Sequence, residues 1–136
     1  MTMTSYRIIS VIMGMTFGIV GLLFLLMSNH VLIFFNALSS SVGMESAASG
    51  GDEFYVVLAI AYMYIVSLIS FLMFRHPGNT FFPLLLFNGK IASSLLSLLM
   101  FLADKHLLIY FVNFVIDGSI ALTAMLMYRS ARRGFQ

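Results

Sequence analysis

Apolar residues run along this chain in four blocks, at about residues 8–27, 54–74, 81–102 and 107–128, each bounded by polar or turn-forming positions. About 20 residues at about 1.5 Å rise each are what a helix needs to cross a hydrocarbon core of about 30 Å. Each block therefore predicts a membrane-spanning α-helix. The fold class expected is all-α, an integral membrane four-helix bundle forming a single transmembrane domain over residues 1–136.

The connections differ in kind. Between the second and third blocks stands Arg75-His76-Pro77-Gly78-Asn79, in which proline removes a backbone donor and Gly-Asn favours a tight reversal. That predicts an antiparallel hairpin, and Ala103-Asp104-Lys105-His106 predicts a second one between the third and fourth blocks. The first connection, about residues 28–53, is longer. Its apolar stretch 31–38 is too short to span and either prolongs the first helix or lies along the interface. Residues 39–53, rich in Ser, Gly and Ala, read as a flexible, mildly acidic external loop, with Asp52 and Glu53 placed to complement the N-terminal dipole of the second helix.

Composition agrees with lipid as the main solvent. Hydrophobic residues make up 61% of the chain and charged residues 9%, against about 25% charged in an ordinary soluble domain. A net charge of +2, with the basic residues scattered or gathered at the C-terminus, gives no surface for nucleic acid. The basic residues instead report topology. Arg7, Arg75, Arg129, Arg132 and Arg133 fall on one side of the expected membrane and Lys105 alone on the other, which places both termini in the cytoplasm of a bacterial inner (plasma) membrane. The first block is longer than the apolar core of a signal peptide and no small-residue cleavage site follows it closely, so it reads as a retained span. With no tryptophan, an interfacial aromatic belt falls to Tyr6, Tyr55, Tyr110 and Tyr128, all near the expected membrane ends except Tyr110.

Two ionisable residues stand inside apolar blocks, Lys90 in the third and Asp117 in the fourth. Counted from the basic end, they lie about 13 and 17 Å deep at 1.5 Å per residue, so antiparallel neighbours bring them together near the midplane. A lone charge there is costly, about 2.5 to 3.5 kcal/mol on insertion scales, which makes mutual pairing the economical arrangement. The pair has two readings: a working site on a proton, ion or ligand pathway, or an internal clip that fixes helix partner and register. His106, Tyr110, Asn113 and Asp117 follow intervals of four, three and four, hence one stripe of the fourth helix. Lys90, Ser93 or Ser94, and Ser97 make a matching edge on the third, with Asn88 turned away from it. These stripes either line a polar crevice or join the two helices by hydrogen bonds. Gly14, Gly18 and Gly21 form a small-residue face on the first helix, suited to packing within the bundle or to a homodimer seam.

The absence of cysteine excludes disulfides, iron–sulfur clusters and thiolate zinc sites. His30, His76 and His106 are expected as polar caps, and no metal, haem or other cofactor is expected. No phosphate loop, nucleophile elbow or His-Glu zinc motif occurs. The function expected is that of a non-enzymatic scaffold or accessory subunit, with the lipid bilayer and a membrane protein or second copy as partners. The alternatives are a small carrier or channel for a polar or protonatable solute, and a membrane enzyme acting on a lipid or quinone with Asp117 as acid/base.

Overall fold

The computed structural model describes residues 1–43, 53–103 and 107–135. These form four α-helices: α1 (Met3–Ser41), α2 (Glu53–Arg75), α3 (Phe81–Ala103) and α4 (Leu108–Arg133). All four contain a stretch long and apolar enough to cross a membrane, with mean hydropathy from 1.7 to 2.5. The protein is an all-helical bundle, as the four blocks predict. The loop residues 44–52, with Asp52 among them, and the turn residues Asp104, Lys105 and His106 lie outside the described residues, so the expectations attached to them have no structural counterpart.

Helix α1 begins on Thr2, whose side-chain oxygen accepts a hydrogen bond from Ser5 N at 3.2 Å. It does not stop with the first apolar block. Met27 leaves helical geometry (φ −139°, ψ 34°), and beyond this kink the helix resumes and continues to Ser41. At 39 residues and about 1.5 Å each, α1 is about 58 Å long, far more than a bilayer core requires. Residues 31–38 therefore prolong the first helix, and the break at Met27 coincides with the end of its span-length portion, Met3–Met27. The turn after α2 is set by Asn79, whose Oδ1 accepts from Phe81 N at 2.9 Å and opens α3. Pro83 stands in the first turn of α3, where its missing N–H removes no helical bond.

Two close pairs build the bundle, α1 against α2 and α3 against α4, with looser contact along α2–α3 and α1–α4. The short Arg75 to Asn79 turn thus joins α2 and α3 in sequence without making them the most intimate neighbours. At the end holding Arg7, Arg75 and Arg129, the interior is closed by Tyr6, Met73, Leu86, Ala124 and Met127. The Tyr6 ring meets Phe135 edge-on at 5.2 Å, and Ser130 Oγ donates to the Met1 carbonyl at 3.1 Å, so the two terminal segments pack together. Tyr6 is fully buried and belongs to the core rather than to an interfacial belt.

Candidate functional site

The 3.6-residue period turns Leu86, Lys90, Ser94 and Ser97 of α3 to the interior, and Asp117, Ala121 and Ala124 of α4 face them. Lys90 Nζ donates to Asp117 Oδ1 at 2.7 Å. Both side chains are withdrawn from the surface, at 0% and 4% exposure. The two remaining sides of the ammonium are taken by rings from the other two helices. Phe17 of α1 lies with its centroid 4.3 Å from Nζ, and Tyr62 of α2 at 4.7 Å. Every helix therefore contributes one side chain to a four-residue cage that leaves the ammonium no exposed surface, while the Asp117 side chain keeps 4% exposure. An ammonium has three N–H groups, and here one carboxylate oxygen and two negative ring faces surround it.

The seam between α3 and α4 continues this polar strip away from the basic end. Ser94 Oγ donates to the Phe114 carbonyl at 2.9 Å, one helical turn from Lys90. Gly118 makes that approach possible: a Cβ there would stand 3.1 Å from Ser94 Oγ. A turn further along, Asn113 Nδ2 donates to Ser97 Oγ at 2.6 Å and reaches Ser93 Oγ at 3.4 Å. The serine edge and the Asn113 stripe thus meet as interhelical hydrogen bonds. Tyr110, expected on the same stripe, is half-buried and lines a groove of about 380 Å³ with Tyr62, Gly89, Ser93 and Ser97. Tyr62 separates this groove from the cage, held by its hydroxyl donating to the Gly89 carbonyl at 3.3 Å.

The glycine face of α1 turns to α2. A Cβ on Gly14 would come within 3.2 Å of the Phe71 ring, one on Gly18 within 3.4 Å of Ser67 Oγ, and one on Gly21 within 3.2 Å of Met63 Cβ. Close approach lets Ser67 Oγ donate to the Gly14 carbonyl at 2.8 Å, a bond between helices that a larger residue would push apart. These contacts pack the glycine face against α2 within the bundle.

Lys90, Asp117 and Asn113 were visible in the sequence as polar residues in apolar runs. Phe17 and Tyr62 were not. Phe17 is one of fourteen phenylalanines and carries no distinguishing signal. Tyr62 had a weak one, a phenol in the middle of an apolar block, at a depth comparable to the charged pair. No protein-family model, curated protein or solved structure matches this chain.

Proposed function

We propose that the chain is a non-enzymatic membrane scaffold or accessory subunit, and that Lys90 and Asp117 act as an internal clip fixing the partners and register of its four helices. The observation that carries this reading is the closure of the cage. A solute or ion site built on the Lys90 ammonium needs an approach to it. Here the ammonium is surrounded by Asp117, Phe17 and Tyr62, with no exposed surface left. The short connection between α2 and α3 adds little chain outside the bilayer at that end of the bundle. The setting we propose is a bacterial plasma membrane with both termini cytoplasmic, supported by Arg7, Arg75, Arg129, Arg132 and Arg133 gathering at one end of the bundle.

A carrier using Lys90, Asp117, Asn113 and Tyr110 is the second reading, and the groove beside Tyr62 is what favours it. Against it, Ser93 and Ser97 are engaged by Asn113, and the groove reaches the pair only if the Tyr62 ring leaves the ammonium. Stability and function of three variants separate the readings. Asp117→Asn leaves Lys90 without its counter-charge and is expected to lower stability by about 3 to 5 kcal/mol, as does breaking a buried pair elsewhere. Lys90→Met strands Asp117 and is expected to do similar damage. The double variant Lys90→Met with Asp117→Leu restores an apolar interior and is expected to recover most of the lost thermal stability in detergent, together with complementation of any deletion phenotype. Recovery of stability without complementation would mean the pair is a working site. Two single variants as stable as the parent would remove the clip altogether.

A further inference from the structure

The side of α3 opposite Lys90 has no partner in the bundle. Leu85, Asn88, Ala92, Leu95, Leu99 and Leu102 all lie exposed along it. Their spacing is three, four, three, four, three, the 3.5-residue repeat that keeps one seam of a helix facing a second helix through a left-handed crossing. One member of this seam is an amide. Asn88 lies seven residues in from Phe81, about 10 Å deep at 1.5 Å per residue and within the hydrocarbon. Its Nδ2 donates to the Leu84 carbonyl of its own helix at 2.8 Å; among the described residues its second N–H and its Oδ1 meet nothing. Hydrocarbon offers no water to satisfy them. Other outward polar groups manage differently: the hydroxyls of Ser119 and Thr123 on α4 donate back to the Val115 and Ser119 carbonyls at 2.8 and 2.9 Å, which uses their single O–H.

We infer that this face of α3 is a homodimer seam in the membrane, with Asn88 of one copy hydrogen-bonded to Asn88 of the other. A second copy is the occupant that the chemistry selects. A primary amide is its own complement, since its N–H donates to the oxygen of an identical group related by a two-fold axis. Two copies inserted with the same orientation bring their α3 helices parallel and their Asn88 residues to the same depth without any shift of register. Ala92, one turn along, is small enough to let the two backbones approach beside the amide pair. A single Asn in an otherwise apolar heptad seam is also a known means of fixing register and copy number.

The test uses the full chain reconstituted in phosphatidylcholine vesicles, half labelled with a donor and half with an acceptor fluorophore, with energy transfer read across a range of protein-to-lipid ratios. The parent is expected to associate. Asn88→Leu is expected to weaken association about tenfold, in line with interhelical amide bonds in model membranes, and Asn88→Gln to retain most of it. Asn88 is exposed on the face of α3 opposite Lys90, so circular dichroism and melting of the dilute variant should match the parent. Because the chain has no cysteine, Ala92→Cys and Leu95→Cys are expected to give disulfide-linked dimers in membranes, and Leu22→Cys and Leu122→Cys none. A parent that shows no transfer at any ratio overturns the seam and leaves this face to a different membrane protein. Transfer unchanged by Asn88→Leu, or cross-linking confined to Leu22 or Leu122, overturns it equally.

Discussion

At the residue scale, the cage around Lys90 makes its two rings separable. Phe17 presents only a face to the ammonium, whereas Tyr62 presents a face and also donates its hydroxyl to the Gly89 carbonyl. Phe17→Leu keeps an apolar side chain but removes a desolvated cation–π contact, of about 2 kcal/mol, so it should lower stability by roughly that amount. Tyr62→Phe keeps the ring over the ammonium and loses one long hydrogen bond, so its effect should stay near the roughly 0.6 kcal/mol average of polar contacts between membrane helices. Denaturant titration of both variants in the same detergent gives the comparison. If Tyr62→Phe is the more damaging, the phenol is held for its hydroxyl and the cage is not an electrostatic enclosure. This contrast also explains what the sequence made legible. A charge in an apolar block announces itself, because burying it unpaired is costly. A ring that receives the charge is indistinguishable from its lipid-facing neighbours until the helices are placed.

The helices themselves were legible to different degrees, and the differences follow one physical cause. Apolar runs mark what the hydrocarbon must cover, so α2 and α3 begin and end within one residue of the blocks at 54–74 and 81–102. The backbone ladder has no need to stop at the hydrocarbon boundary. Thus α4 runs on through Arg129, Arg132 and Arg133, and α1 starts at Met3 and passes the Met27 kink to reach Ser41. Helix pairing was harder to read than helix extent, because small residues fit several partners. The α1–α2 contact gives a graded prediction for its glycines. At Gly21 an added methyl meets Met63 Cβ, an atom fixed to the backbone, while at Gly14 it meets the tip of the half-exposed Phe71 ring, which can swing aside. At Gly18 the distance to Ser67 Oγ is already close to ordinary contact. Gly21→Ala should therefore be the most destabilising of the three alanine variants, by about 1 to 3 kcal/mol as for overpacking in a tight core, and Gly18→Ala the least. An inverted order in thermal melts would mean that α1 and α2 pack along a different line.

For the whole molecule, the membrane orientation joins the cage to the lipid-facing surface, because it fixes which end of the polar α3–α4 seam points outward. The chain gathers five arginines at the end where α1 starts, α2 ends, α3 starts and α4 ends, and there Arg7 stands over the Phe74 ring at 5.9 Å. Met125, Tyr128, Arg129, Arg132 and Arg133 also line a recess of about 700 Å³ at that end. Lysine and arginine near span ends are retained on the cytoplasmic side, so this end should face the cytoplasm and the 44–52 segment the exterior. The Ser93, Ser97, Asn113 strip and the groove at Tyr110 would then lie in the outer half of the bilayer, and the packed Tyr6, Met73 and Met127 core in the inner half. The cysteine-free chain allows a direct measurement. Single cysteines are introduced at Ser46, within the long connection, and at Thr4, exposed near the start of α1, and intact cells are treated with a membrane-impermeant thiol reagent. Ser46→Cys should be labelled in intact cells, and Thr4→Cys only after the cells are permeabilised. Labelling of Thr4→Cys in intact cells with Ser46→Cys protected would invert the molecule, placing the arginine recess outside and the α3–α4 polar strip in the cytoplasmic half. A crevice serving a solute would then open to the opposite compartment, while the clip and the α3 seam, which depend only on depth, would be untouched.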